Sequence, residues 1–234
     1  MDTMALYPAK TRRWTRREYD RLIDLGFLHE DEKVELLGGQ IIDRRAPPRT
    51  RRWSRLEYER LIEKGFFQPD ERLELISGEL VVREPQAAPH ATAIRLLTRA
   101  LHRIFGADWN IDVQLPMGVH DESEPEPDVS VVSGGPRDYL ASHPTRPVLI
   151  VEVAESSLAF DREHKGSLYA RAQVADYWIV NLVDRVLEVY REPVQAPAAP
   201  YGWHYSALLR LGPTDFISPL ATPHARIAVA DLLP

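Results

Sequence analysis

The sequence predicts an α/β fold: a mixed β-sheet core flanked by helices, with an N-terminal helix–hairpin repeat. Two observations carry this. Beyond residue 90, apolar spacing alternates between helical and extended periods, in the order helix, three strands, helix, two strands. Ahead of residue 90, one segment occurs twice.

The repeat pairs residues 12–42 with 51–81 at an offset of 39, with 16 identities over 31 positions. Each copy predicts a short helix and then a hairpin. Thr15 and Ser54 stand as N-caps, and Glu18 and Glu57 three residues later complete capping boxes. Trp14 with Tyr19, and Trp53 with Tyr58, occupy staple positions around the caps. Gly26 and Gly65 end the helices. The segments 34–42 and 73–82 are expected to be strand pairs that turn at Gly38-Gly39 and Ser77-Gly78. Residues 43–50, with Pro47 and Pro48, predict a linker. The expected division is an extra repeat copy plus linker over 1–50 and a larger domain over 51–234.

In the larger part, Ile94, Leu97, Leu101 and Ile104 mark an amphipathic helix over His90–Phe105. Strands are predicted at 111–119, 129–132, 148–153, 177–182 and 186–190, with a second helix over 162–172. The early strands can pair as a meander, and the second helix lets the next strand join by a crossover. Pro193–Pro200 predicts an exposed loop, and 207–211 with 227–233 are expected to finish the sheet edge.

The chain has 234 residues, 44% of them hydrophobic and 27% charged, with no cysteine. Disulfides and thiolate metal sites are excluded, and a reducing, cytoplasmic setting is expected. No run approaches the length of a membrane helix, and the N-terminus lacks the apolar core of a leader. Net charge is −6, but residues 1–60 carry 14 Lys/Arg against 11 Asp/Glu. The arginine pairs at 12–13, 16–17, 44–45 and 51–52 suit either phosphate contacts or a solvated helix face and linker. Phosphate-cradling glycine loops, nucleophile elbows and His-Glu-x-x-His pairs are absent.

The chemistry concentrates in one spacing. Asp128, at the mouth of a strand, is followed 24 residues later by Glu152 inside an apolar strand, and Lys165 follows 13 residues after that. A buried carboxylate needs a partner. A hard cation such as magnesium takes one or two carboxylates with waters and phosphate oxygens, which Asp128 and Glu152 could supply. Lys165 lies four residues after Asp161 and four before Tyr169, so it either serves this centre or forms an ordinary helix pair. Asp128 can equally be a turn former after Pro127. His90 opens the long helix, as a ligand to bound water or phosphate or as a simple polar helix start. Glu74 is a further candidate for the same cleft.

These residues sit in stretches that resemble the Uma-type family of putative restriction endonucleases, within the PD-(D/E)XK nuclease superfamily. The resemblance runs from about residue 51 to 234, through Arg72–Leu80, His90, Ser123–Asp128, Val151–Asp161, Lys165, Tyr169–Arg171, Tyr177–Val180 and Val189–Pro193. It implies a restriction-endonuclease-like core and Mg2+- (or Mn2+-) dependent hydrolysis of DNA phosphodiesters. Asp128 and Glu152 would be the metal ligands and Lys165 the active-site lysine. The superfamily pattern expects lysine two residues after the glutamate, where this chain has Ala154, so Lys165 would replace it from a helix. DNA and a second copy in a homodimer are the expected partners, with no membrane. The alternative is a catalytically silent nuclease-fold protein that binds DNA or dimerises.

Overall fold

The structure, a computed structural model, describes residues 11–29 and 31–234. Residues 1–10, part of the stretch expected to lack a leader, lie outside the described residues, as does Glu30. The chain forms two compact units. One comprises Met1–Glu84 with Asp121–Glu124, the other Pro85–His120 with Pro125–Pro234.

The smaller unit holds both repeat copies. The first contributes α1 (Arg16–Asp24), β1 (Val34–Leu37) and β2 (Gln40–Asp43), followed by the short β3 (Arg49–Thr50). The second contributes α2 (Arg55–Glu63), β4 (Leu73–Ile76) and β5 (Glu79–Val82). Both capping boxes form, with the Thr15 and Ser54 side chains accepting from the amides of Glu18 and Glu57. Gly26 and Gly65 take left-handed φ values of 71° and 56°, where a Cβ would strain the backbone. The Phe27 and Phe66 amides then reach back to the Leu22 and Leu61 carbonyls, closing each helix. Trp14, Leu22, Phe27, Trp53, Leu61, Phe66 and Leu75 share one core.

In the larger unit, α3 (Ala88–Ile104) starts two residues before His90, because Pro89 favours the first helical turn. A six-stranded sheet follows, made of β6 (Trp109–Asp112), β7 (Val129–Ser133), β8 (Leu149–Ala154), β9 (Asp176–Asn181), β10 (Val186–Gln195) and β11 (Trp203–Leu211). Its spatial order is β11-β10-β9-β8-β7-β6. All pairs are antiparallel except β8–β9, which the helical crossover between them makes parallel. That crossover runs through α4 (Leu158–Phe160), a π-helical turn (Asp161–Lys165) and α5 (Gly166–Arg171). Leu149, Val151, Val153, Trp178, Val180, Leu187 and Val189 form a core with Leu97 and Leu101 of α3. The period of two therefore turns Glu152, Tyr177, Glu188 and Tyr190 to the opposite face.

Several boundaries differ from expectation. The strand expected over 111–119 is β6, which stops at Asp112 because Gln114 takes φ 54° and breaks the extended run. Pro193 lies inside β10 rather than in a loop, at a position paired with Tyr205. Ile227–Leu233 does not finish the main sheet. Its first residues form β13 (Ile227–Ala228), paired with β12 (Phe216–Ile217), and a 3-10 turn (Val229–Leu232) follows. Ile227, Val229 and Leu232 instead join the apolar core. Among the described residues no helix is long and apolar enough to cross a membrane.

Candidate active site

The site is built where β7 and β8 lie side by side and the crossover begins. Val129 pairs with Val151, so Asp128, just ahead of β7, falls beside Glu152 of β8. Asp128 Oδ2 accepts the Val153 amide at 2.8 Å, and Oδ1 accepts the Gln114 side-chain amide at 3.1 Å. The Asp128 amide points to Glu152 Oε2 at 3.4 Å. His90 Nε2 stands 3.1 Å from Asp128 Oδ2.

Lys165 Nζ donates to Glu152 Oε1 at 2.9 Å, and the Tyr169 hydroxyl donates to the same oxygen at 2.7 Å. Glu152, Lys165 and Tyr169 are all buried. The π-helical turn is what turns Lys165 inward: the Gly166 amide reaches five residues back to the Asp161 carbonyl. Such a widened turn re-aims side chains and recurs at functional sites. Tyr169 follows four residues later, on the same helix face. Asp161 is also buried, and its carboxyl accepts the Ser157 hydroxyl at 2.6 Å.

Electrostatics divide these carboxylates. Burial opposes ionisation of Asp128, but His90, Lys165 and the Val153 amide outweigh it and hold the group below its ordinary range. Burial pushes Asp161 well above that range, with the neighbouring Glu152 charge adding to the rise and Lys165 opposing it. Burial likewise pushes the Tyr177 hydroxyl up, and that hydroxyl donates to the Asp161 carbonyl.

Of the residues singled out from sequence, Asp128, Glu152, Lys165 and His90 gather here. Glu74 belongs to the other unit, buried in β4 with Arg83 3.5 Å away. Gln114, Tyr169 and Asp161 were not singled out. The spacing of Tyr169 from Lys165 was visible, but nothing in sequence marked Gln114. Of the arginine pairs, Arg12 and Arg51 are buried in ion pairs with Glu18 and Glu71, and with Glu57 and Glu32, while Arg13, Arg16, Arg17, Arg44, Arg45 and Arg52 are exposed.

Asp128 and Glu152 offer hard oxygen donors side by side. Among the described residues no group of three or more His, Asp or Glu side chains is gathered to cage an ion. That donor set fits magnesium-type binding, which uses one or two carboxylates and leaves the remaining positions to water and phosphate. It does not fit a zinc site.

The mixed sheet, with a carboxylate pair at its middle strands and a lysine on the crossover beside them, has the restriction-endonuclease-like fold. The family model described as "Uma2: Putative restriction endonuclease" matches residues 55–230, and the chain belongs to that family. The fold is similar to the crystal structure of a putative nuclease belonging to DUF820 from Anabaena variabilis. The two are 13% identical, with a TM-score of 0.57, and the match covers 77% of this chain and 97% of that one. No curated protein matches.

Proposed function

We propose that this chain is a metal-dependent endonuclease that hydrolyses phosphodiester bonds of DNA. The observation that supports this best is the meeting of Asp128, Glu152 and Lys165 at one point, although Lys165 comes from a helix and Ala154 stands in the strand position. In this reading Asp128 and Glu152 hold Mg2+ or Mn2+. When bound, such an ion supplies charge stabilisation at the phosphate and lowers the pKa of a bound water.

The protein's own groups do the rest. Water attacks phosphorus and gives up a proton to solvent, one P–O ester bond breaks, and the departing oxygen takes up a proton from solvent. Lys165 holds Glu152 in place and sets a positive charge beside the scissile phosphate, opposing the charge that builds there. Tyr169 fixes Glu152, as Gln114 and the Val153 amide fix Asp128. His90 keeps Asp128 charged. Glu74 is a further candidate in this reading. Residues 1–50 are proposed to be an added copy of the element with which the proposed nuclease domain, 51–234, begins, and the two copies pack in one compact unit. Cutting both strands takes two such sites, which a homodimer supplies, and the proposed setting is the cytoplasm.

The test is nicking of supercoiled plasmid with magnesium or manganese by wild type, Asp128→Ala and Lys165→Ala. Activity in the wild type that needs the metal and is lost in both variants supports the reading. An inert wild type, or variants that cut equally well, ends it.

A further inference from the structure

The two repeat copies meet through contacts that occur in reciprocal pairs. Arg12 Nε of the first copy reaches Glu71 of the second at 2.8 Å, and Arg51 Nε of the second reaches Glu32 of the first at 2.8 Å. The Arg12 amide donates to the Leu80 carbonyl, and the Arg51 amide to the Ile41 carbonyl, both at 2.8 Å. Thr11 bridges Val81 across the copies, as Thr50 pairs with Ile42. Arg21 stacks over Phe66 at 4.9 Å, and Arg60 over Phe27 at 5.2 Å. In every case the partners exchange under the offset of 39. Trp14 and Trp53 meet each other, centroid to centroid at 5.2 Å, on the local twofold axis.

Tandem duplication by itself does not demand this. Repeats stacked head to tail join one surface of a copy to a different surface of the next. Here one surface is used twice, which is the definition of an isologous interface, the kind found in twofold dimers. The first hairpin takes a third strand, Arg49–Thr50, from the segment that leads the second copy, and the second hairpin takes a single bridge, at Thr11, from the segment that leads the first. The residues that make the side-chain contacts, Arg12, Trp14, Arg21, Phe27 and Glu32, are all identical in their counterparts. Positions outside the contact have diverged, such as Leu25 against Lys64 and His29 against Gln68. The family match begins at residue 55, so the first copy lies outside it.

We infer that the helix–hairpin element is a self-pairing module, that the first copy fills in cis the place of a second chain, and that a second copy of this chain is the partner that face accepts when cis closure is prevented. The link between copies supplies the test. Asp43 and Arg49 face each other across β2 and β3. Deleting residues 44–48 makes them consecutive, and consecutive residues cannot face each other in an antiparallel pair, so closure must then come from another chain.

The chain has no cysteine, so Thr11→Cys with Val81→Cys gives a single reporter pair. Under oxidation the intact linker is expected to give an intrachain disulfide. The deletion is expected to give an interchain disulfide and twice the mass of the intact-linker protein by light scattering. A deleted chain that keeps the intact protein's mass, or crosslinks within itself, overturns the inference, as does an intact chain that crosslinks only between chains. Because the deletion alone can unfold this unit, the intact-linker reporter is also refolded from urea over a hundredfold range of concentration. The interchain fraction should rise with concentration, and its absence throughout overturns self-pairing.

Discussion

Lys165 Nζ lies 2.9 Å from Glu152 Oε1, and both groups are buried, although one comes from a π-helical turn and the other from the middle of the sheet. An ion pair of this kind carries its own desolvation cost, so its presence is weak evidence of stability. Removing one partner is another matter, because the other charge is then left buried.

Lys165→Ala should therefore lower both activity and stability. A loss of about 10²–10³-fold in nicking rate is expected for removal of a preorganised charge. Leaving Glu152 uncompensated should cost about 3–5 kcal/mol. Urea denaturation and initial nicking rates measure the two separately. Retention of full activity in the folded variant would remove Lys165 from the mechanism.

Tyr169→Phe keeps the ring and deletes the hydroxyl that donates to Glu152. A hydrogen bond to a charged group contributes about 1.5–3 kcal/mol, so the urea midpoint should fall accordingly. The metal concentration giving half-maximal nicking should rise, since Glu152 loses the donor that orients it. An unchanged metal requirement would leave the tyrosine a packing residue only.

Metal binding should stabilise the fold even without DNA. At a hundredfold excess over its dissociation constant a ligand adds about 2.7 kcal/mol. Magnesium should raise the melting temperature of the wild type and have no such effect on Asp128→Asn. Equal shifts in both proteins would place the binding elsewhere.

The local twofold axis predicts matched effects. Trp14→Ala and Trp53→Ala should each cost about 3–5 kcal/mol, as truncation of large buried aromatics does. A tryptophan that proved dispensable while its counterpart did not would show that the two copies contribute unequally to the shared core.

Acid should loosen the repeat unit through its capping boxes. Burial opposes ionisation of Glu57, but the Ser54 amide and the Arg51 guanidinium overcome it and set its folded pKa below the ordinary value. Glu18 is lowered in the same way by Thr15 and Arg12. With a depressed folded pKa, the stabilisation is present above the unfolded value and is lost as pH falls through the folded one. Urea midpoints should decline across that acid window, and Glu57→Gln should flatten the decline.

The amino-acid sequence by itself determined the elements of this protein and the residue types of its candidate site. Capping boxes, turn glycines and apolar periods are local signals, read within a few residues of where they act. They placed both helix–hairpin copies, the long helix and the central strands. The carboxylates were legible for a related reason: a glutamate inside an apolar strand is conspicuous.

What only the tertiary structure decided was which groups meet. Lys165 reaches Glu152 because one helical turn is widened and the crossover lies on the polar face of the sheet. Gln114 reaches Asp128 because β6 ends early in a left-handed residue. Sequence does not separate the arginines, whereas packing does: Arg12 and Arg51 are buried and paired across the repeat, and their neighbours Arg13 and Arg52 stay exposed. The duplication was plain at an offset of 39, whereas its twofold closure was not. Reciprocal contacts join residues far apart in the chain, and their geometry is set by packing and strand register, which no local pattern encodes.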